Sequence, residues 1–389
     1  MKRLGFVILS LGYFVFVQAV IAQWGPVKRI TWTSGSSEAP AIAVDPFGHP
    51  HVVWREFLPA EGEEVYYKKS TDGGATWTPA KRLTWSLAVS GSPAIAADSS
   101  GNPHVAWSRS LSSGNTEIYY RKSTDGGTNW TAAKRLTWTS PLSSSPALAV
   151  DSAGNLHVVW SESVLDGGFW KSEIYYKKSS DGGAAWTTGQ RLTWTADFSS
   201  FPAVTLDSSG DPHVVWQDFW PGNWEVFHKR GADGGTTWTA NKRLTWTPGH
   251  STCPRAIVDA IGNLSVVWSE DVSEDFNSEI YYKKSPDGGT AWTANKRLTW
   301  TPSISLYPGV AADPAGNVYV VWEEDLDHTE IYYKKSTNGG SVWSRTWNIS
   351  WTSGDSYEPN VALDSSGHLH MVWYDATPGN FEIYYKKRE

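Results

Sequence analysis

Residues 173–186 read EIYYKKSSDGGAAW, and much of the sequence consists of close copies of this stretch. The part rich in isoleucine and tyrosine favours an extended strand, and the Asp-Gly-Gly triplet favours a tight turn. A tryptophan closes each copy. The other five copies of the turn begin at Ser70, Ser123, Gly231, Ser285 and Ser336. The chain is therefore a repeat protein with a period of roughly fifty residues.

Each repeat contains four short segments, which we label A to D in chain order. In the first full copy, A ends in Asp45, B ends in Trp54, C begins near Tyr66 and D ends in Trp85. The segments are rich in Val, Ile, Tyr and Trp, are bounded by Gly, Asp and Ser, and show no helical period, which predicts strands. Four-stranded units repeated radially predict an all-β propeller.

The two ends of the chain predict how the ring closes. Segment C of the seventh copy, Glu382 to Lys387, is followed by no segment D, whereas an unpartnered segment D, Trp24 to Trp32, precedes the first A. We therefore predict a seven-bladed β-propeller with four antiparallel strands per blade, in which the N-terminal strand completes the last blade. This single domain is expected to cover residues 23–389.

Residues 1–22 have the features of a signal peptide. Lys2 and Arg3 precede an apolar run that ends near Val17, and small residues before Gln23 offer a cleavage site. The run is too short for a stable transmembrane helix. We therefore predict secretion to the extracellular space or periplasm, with no membrane insertion.

Composition excludes several function classes. The chain has 33 Lys+Arg and 40 Asp+Glu, and without Lys2 and Arg3 the balance is 31 against 40, or −9. An acidic chain argues against a nucleic-acid partner, which requires a basic surface. The single cysteine, Cys253, excludes an internal disulfide. We expect a monomer that needs no cofactor and no metal.

The turn between segments C and D, Ser70 to Trp77 in the first copy, matches the pattern Ser-x-Asp-x-Gly-x-x-Trp. It resembles the Asp box of sialidases and other propellers (the BNR repeat), although Gly231 replaces the serine in one copy and Asn338 the aspartate in another. The resemblance covers the whole mature chain and implies a sialidase-like propeller fold. It does not imply one function, because families with Asp boxes include hydrolases, receptors and assembly factors.

Length variation locates the candidate binding face. The interval from the tryptophan of segment B to segment C runs from 10 to 15 residues, while the other intervals are constant. In an up-and-down meander the B–C loops share a face with the D–A connections, and variable loops on a rigid scaffold commonly carry binding. Trp170, Trp220 and Trp224 lie in these loops and at none of the tryptophan positions that recur from repeat to repeat. They either form a ligand-binding aromatic rim or pack the loops of blades three and four together.

Polar residues on the same face complete the list of candidates. Acidic residues after segment B are expected to ring the mouth of the central channel, or else to cap loop ends: Glu56, Glu162, Asp218, Glu270, Glu323 and Asp375. Arg55, Arg109 and Arg255 fall outside the repeated arginine position. Tyr307 precedes a strand-A proline and is expected to line the channel mouth, and Tyr374 neighbours Asp375.

Three hypotheses of function follow. The first is a secreted binding propeller that recognises carbohydrate or an extracellular protein through the B–C loops. The second is an exo-glycosidase of sialidase-like type, which would use paired carboxylates. Sialidases, however, grip the sugar carboxylate with three arginines, one in an Arg-Ile-Pro motif that this chain lacks, and usually have six blades. The third is an extracellular scaffold or assembly factor.

Overall fold

The computed structural model describes residues 24–59, 62–85, 89–139, 142–272 and 277–389. These residues form seven antiparallel sheets arranged as a seven-bladed β-propeller, which confirms the predicted fold. The predicted signal peptide, residues 1–22, lies outside the described residues and stays a prediction. Within the described ranges, no helix is long and apolar enough to span a membrane.

Strands A and B form the inner half of each blade, and A strands of neighbouring blades contact each other around the channel. The A strands are Ser36–Val44, Ser90–Ala97, Ser143–Val150, Ser199–Leu206, Ser251–Val258, Ile304–Ala312 and Ser356–Leu363. The B strands are Pro50–Leu58, Pro103–Ser110, Leu156–Asp166, Pro212–Asp218, Leu264–Asp271, Val318–Asp325 and Leu369–Asp375.

Strands C and D form the outer half, and D is a short pairing of two residues in every blade. The C strands are Gly62–Lys69, Thr116–Lys122, Phe169–Ser179, Glu225–Ala232, Ser278–Ser285, Thr329–Ser336 and Glu382–Arg388. The D strands of blades one to six are Lys81–Arg82, Lys134–Arg135, Gln190–Arg191, Lys242–Arg243, Lys296–Arg297 and Trp347–Asn348. Blade four has one additional short strand, Thr237–Trp238, which also pairs with its strand C.

The N-terminal strand Lys28–Arg29 completes blade seven. It pairs antiparallel with strand C of that blade, so that Arg29 lies opposite Tyr384. The next residue, Ile30, donates its backbone N–H to the Ile383 carbonyl at 2.8 Å. The ring is therefore closed by pairing between its first strand and its last strand, as the unpartnered N-terminal segment D predicted.

The core lies between blades rather than inside one sheet layer. The tryptophan of strand B is almost fully buried in every blade and packs against aliphatic side chains of the neighbouring blade. These residues are Trp54, Trp107, Trp160, Trp216, Trp268, Trp322 and Trp373. Because both faces of each sheet are covered, the B strands are continuous apolar runs with little alternation.

The C–D turns join neighbouring blades. The Tyr67 hydroxyl hydrogen-bonds His51 Nδ1 at 2.7 Å, and the Tyr67 ring meets Trp130 of the next blade edge-on, with centroids 5.0 Å apart. Trp130 closes the next C–D turn, where Gly127 has φ +99° and faces Tyr67. The tyrosine of strand C thus docks into the turn of the following blade.

Alanine substitutions in this turn give a matched test of that docking. A Cβ at residue 127 would lie 1.9 Å from the Tyr67 hydroxyl oxygen, whereas a Cβ at residue 126 would meet only the flexible Lys69 Nζ, at 3.1 Å. Both glycines have positive φ, so each alanine should cost about 1 kcal/mol of stability in strain. Gly127→Ala should cost roughly 1–3 kcal/mol more, since it overpacks the tyrosine. Equal losses for the two variants in denaturant unfolding would contradict the docking.

The strand order places two sets of connections at opposite ends of the channel. The A–B and C–D turns share one face. The B–C loops and the D–A connections share the other, which we call the B–C face. Each D–A connection crosses from the outer edge of one blade to the inner strand of the next.

Candidate binding site at the mouth of the central channel

A ring of seven strained residues surrounds the channel near the B–C face. Every strand A has a bulge at which its pairing with strand B shifts, and the residue before the bulge proline has φ between 46° and 52°. Such values are uncommon for residues other than glycine, and strain of this kind is concentrated at functional sites. The seven residues are Ala39, Ser92, Ser145, Phe201, Cys253, Tyr307 and Glu358. One backbone geometry therefore presents seven positions whose side chains differ.

The residue after the strand-B tryptophan supports the bulge of the next blade. In blade four, Gln217 Oε1 accepts the backbone N–H of Cys253 at 2.9 Å. In blade six, Glu323 Oε2 accepts the backbone N–H of Glu358 at 2.7 Å. The strained backbone is thus held by side chains that themselves face the channel mouth.

Polar side chains of blades five, six, seven and one shift one another's pKa values at this mouth. We call six of them the mouth cluster: Arg55, Arg255, Tyr307, Glu323, Glu358 and Tyr374. Burial raises the pKa of Tyr374, and the charges of Glu358 and Glu323 raise it further. Burial also raises the pKa of Glu358, against the opposing effect of Arg255 and Arg55. The predicted residues Arg55, Arg255, Tyr307, Glu323 and Tyr374 therefore lie within range of the charges at this mouth.

Glu323 is the most perturbed carboxyl of the cluster. It is 7% exposed, and burial raises its pKa to about 7. The hydrogen bond from Glu358 N–H lowers the pKa, whereas the charges of Glu358 and Asp325 raise it. A carboxyl with such a pKa can either donate or accept a hydrogen bond near neutral pH.

The arginines of the mouth do not form a free cationic grip. Arg55 ion-pairs with Glu38 and also with Glu63, at 3.4 Å from Nη1 to Oε2. Together with Glu358, these carboxylates outnumber Arg55 and Arg255. The mouth is therefore better suited to neutral ligands than to anionic ones.

Five predicted carboxylates lie between blades and not at the mouth. Glu56, for example, is buried, and its Oε2 accepts Trp54 Nε1 at 2.8 Å and Ser37 Oγ at 2.7 Å. The cause is the strand period of two, which turns Glu56 to the same face as Trp54. The corresponding tryptophan and serine bind each of the others: Glu162, Asp218, Glu270 and Asp375.

Arg109 occupies the same position in blade two. Its guanidinium lies over the ring of Tyr119, 5.3 Å from the centroid, and its backbone pairs with Glu117 of strand C. Arg109 is therefore part of the blade interior, and the three arginines Arg55, Arg109 and Arg255 are not assembled into one site.

The additional tryptophans of the B–C loops divide into two groups. Trp224 packs inside the loop of blade four, edge-on to Phe219 with centroids 5.2 Å apart. Trp170 lies at the tip of the B–C hairpin of blade three, and Trp220 follows strand B of blade four; both are more than half exposed. Trp170 and Trp220 are thus available for contact, whereas Trp224 supports its own loop.

One cavity lies at the opposite mouth of the channel. It measures about 410 Å³ and is lined by the ends of A strands, including Asp45 and Asp98. These aspartates accept hydrogen bonds from the backbone of their own turns, such as Asp45 from the His49 N–H at 2.9 Å. Because the lining is a repeated turn motif, we do not place the site there. Across the described ranges, no group of three or more His, Cys, Asp or Glu side chains is arranged to hold a metal ion.

Glu358 was predicted to line the channel mouth from its place before a strand-A proline, although it was not among the candidate site residues. Sequence reasoning missed one feature of the B–C face. The tryptophans that end segment D were interpreted as framework residues because they repeat, yet they are exposed. Repetition alone does not distinguish a buried position from a repeated surface position.

Comparisons with solved structures agree on the fold. The chain is similar to a PL25 ulvan lyase solved with a GlcA–Rha3S ligand, at 12% identity and TM-score 0.66 over 92% of this chain and 95% of that one. It is also similar to a GH93 α-L-arabinofuranosidase of Fusarium graminearum, at 15% identity and TM-score 0.56 over 76% and 92%. A third similar structure is the intramolecular trans-sialidase from Ruminococcus gnavus, at 12% identity and TM-score 0.51 over 90% and 94%.

Sequence comparisons give no family. No protein-family model matches the chain, and no curated protein matches it significantly. At identities of 10–15%, the structural similarities show a sialidase-like propeller fold and no more.

Proposed function

We propose that this chain is a secreted carbohydrate-binding protein whose principal site is the mouth cluster. The observation that carries the proposal is the convergence of Arg255, Tyr307, Glu323, Glu358 and Tyr374 on one strained ring. Phenol and carboxyl groups offer both donors and acceptors to sugar hydroxyls. The excess of carboxylates favours a neutral glycan over one that carries carboxylate or sulfate groups.

Aromatic surface supports the same proposal. Tyr357 and Tyr374 stack with centroids 5.4 Å apart, and Tyr307 and Phe201 of the strained ring are partly exposed. Apolar faces beside a few convergent polar groups are the usual composition of small-molecule sites. The similar structures named above include proteins that act on polysaccharides or glycosides, which is compatible with a glycan ligand.

Two conservative substitutions test the mouth site. Glu358→Gln turns a charged hydrogen-bond acceptor into a neutral one and Tyr374→Phe removes a hydroxyl, and each should weaken the binding of a neutral oligosaccharide about tenfold, since a hydrogen bond that is lost, or weakened by loss of charge, costs roughly 1.4 kcal/mol. Isothermal titration calorimetry measures the change. Asp327→Asn, an exposed carboxylate on the same face of blade six, is the control and should bind as the wild type does. Unchanged affinity in both mouth variants would refute this site.

Glycoside hydrolysis is the second candidate, and one observation favours it. Glu323 has a pKa of about 7 and interacts with a second carboxyl, Glu358. A carboxyl that keeps its proton near neutral pH is suited to be a general acid.

Hydrolysis is tested by release of p-nitrophenol from neutral aryl glycosides. The hydrolase hypothesis expects turnover that falls above about pH 7 as Glu323 loses its proton, and that Glu323→Gln abolishes. Absence of turnover by a wild-type protein that binds neutral oligosaccharides would leave binding as the function.

A further inference from the structure

Seven tryptophans form a second ring on the B–C face. Each lies three residues after a D strand, at the end of segment D, and 64–77% of its surface is exposed. The seven are Trp32, Trp85, Trp138, Trp194, Trp246, Trp300 and Trp351. An exposed tryptophan contributes little to the core, so a surface position that holds it in all seven blades calls for a role outside folding.

Trp32 covers a space between blades seven and one. Trp32 lies on the connection from strand D of blade seven to strand A of blade one. Beneath it is a cavity of about 180 Å³, lined also by Trp54, Tyr66, Glu56 and Lys68. This space is several times the ~30 Å³ that one water occupies in the liquid, so it has room for part of a small polar ligand.

Two buried polar atoms in this cleft lie near each other but complete no hydrogen bond of normal geometry. Glu56 Oε2 is occupied by Trp54 and Ser37, but Glu56 Oε1 completes no hydrogen bond of normal geometry, and neither does the Thr33 hydroxyl. Burial raises the pKa of Glu56, with Trp54 and the nearby Thr33 lowering it in turn. Buried atoms of this kind are normally satisfied, so a ligand hydroxyl is a fitting partner.

The charges of the cleft select a neutral ligand. Arg29 ion-pairs with Glu382 at 2.7 Å, and Lys68 donates to the Ile30 carbonyl. The two cations lie against the Trp32 ring, at 5.7 and 5.4 Å from its centroid, which disfavours a cationic ligand. Glu382 and Glu56 balance the two positive charges, so an anion gains little.

We propose that the inter-blade clefts under the strand-D tryptophans each bind one neutral sugar residue by stacking on the exposed indole and hydrogen bonding to the buried glutamate. These clefts are separate from the mouth cluster, so the inference goes beyond the proposed principal site. They make the propeller a multivalent receptor for a glycan that presents the same sugar repeatedly.

Four clefts share the same arrangement of charged and aromatic groups, although of their four glutamates only Glu56 has a buried oxygen that completes no hydrogen bond. In each, an arginine and a lysine lie against the tryptophan, and a glutamate bonds the buried tryptophan. The tryptophan–glutamate pairs are Trp32–Glu56, Trp138–Glu162, Trp246–Glu270 and Trp300–Glu324.

The other three clefts differ in the carboxylate. Asp218 and Asp375 use their second oxygen on their own loops, accepting Trp220 N–H and Thr377 N–H. In blade two Arg109 replaces the carboxylate below Trp85. We therefore expect four sites of similar affinity and place none under Trp85.

Calorimetric titration with methyl glycosides of neutral hexoses tests the count. The wild type should show about four equivalent weak sites in addition to the mouth site. Trp32→Ala should remove one of them, and the quadruple variant at residues 32, 138, 246 and 300 should remove all four, while the thermal midpoint stays unchanged. Trp85→Ala is the matched control and should keep the full count. Avidity for an immobilised polysaccharide should fall at least tenfold in the quadruple variant.

The outcomes separate this inference from the principal site. An unchanged number of weak sites in the folded quadruple variant would overturn the inference, whatever the mouth variants do. Loss of the weak sites with retention of a single tighter site, itself sensitive to Glu358→Gln, would support both proposals. Loss of all binding in the quadruple variant would support the clefts and refute the mouth site.

Discussion

Glu323→Gln is expected to stabilise the protein by about 3 kcal/mol at pH 8. Glu323 has a folded pKa of about 7 against an ordinary value of 4.5, and each pKa unit corresponds to about 1.4 kcal/mol. Between these two values the folded state holds a proton that the unfolded state has lost, so wild-type stability falls as pH rises from 4.5 to 7. Glutamine is neutral throughout and should remove this loss.

The hydrogen bond to the strained ring should survive the change, because Gln217 of blade four accepts the equivalent backbone N–H, that of Cys253 in blade five. The reverse substitution, Gln217→Glu, is the matched control and should introduce a loss of stability over the same pH range. Urea unfolding at pH 5 and pH 8 measures both effects. Equal pH dependence in the wild type and Glu323→Gln would show that Glu323 titrates normally.

Ile30→Ala is expected to cost 2–5 kcal/mol of stability, the usual range for deleting a fully buried aliphatic side chain. Ile30 is 1% exposed and packs with Ile42 and Val372, which belong to blades one and seven. The N-terminal strand has only two paired residues, so Ile30, together with Trp24, which meets Tyr333 edge-on, supplies the apolar anchor of the closure.

Two controls define the role of Ile30. Leu83 follows the D strand of blade one as Ile30 follows that of blade seven, but blade one is built from consecutive residues. Leu83→Ala should cost a similar amount. Trp32→Ala, two residues beyond Ile30 and 66% exposed, should change stability by less than about 0.5 kcal/mol. If Ile30→Ala were as mild as Trp32→Ala in denaturant unfolding, the N-terminal strand would not be closing the ring.

The repeat made the architecture predictable. Constant spacing between turn, tryptophan and strand gave the strand order, and the unpartnered first segment D gave the closure at Arg29 and Tyr384. These features depend on backbone hydrogen bonding and on strand periodicity, which a sequence displays directly.

The candidate site was less predictable because it depends on which way side chains face. Glu56 and Arg55 are neighbours in sequence, yet Glu56 lies beside Trp54 in the cleft between two blades and Arg55 reaches the channel mouth. Likewise, Trp54 is fully buried and Trp32 is exposed, although both recur in every blade. The left-handed backbone at Tyr307 and Glu358 carries no clear sequence signal, since such residues rarely adopt it.

The central claim is that this propeller binds neutral glycans through its B–C face, and a glycan array with paired neutral and acidic glycans tests it most directly. We expect saturable binding of the wild type to neutral oligosaccharides, and weaker binding to their sialylated or sulfated counterparts. Absence of saturable binding to any neutral glycan by the folded protein, or a consistent preference for the acidic members of the pairs, would contradict the account.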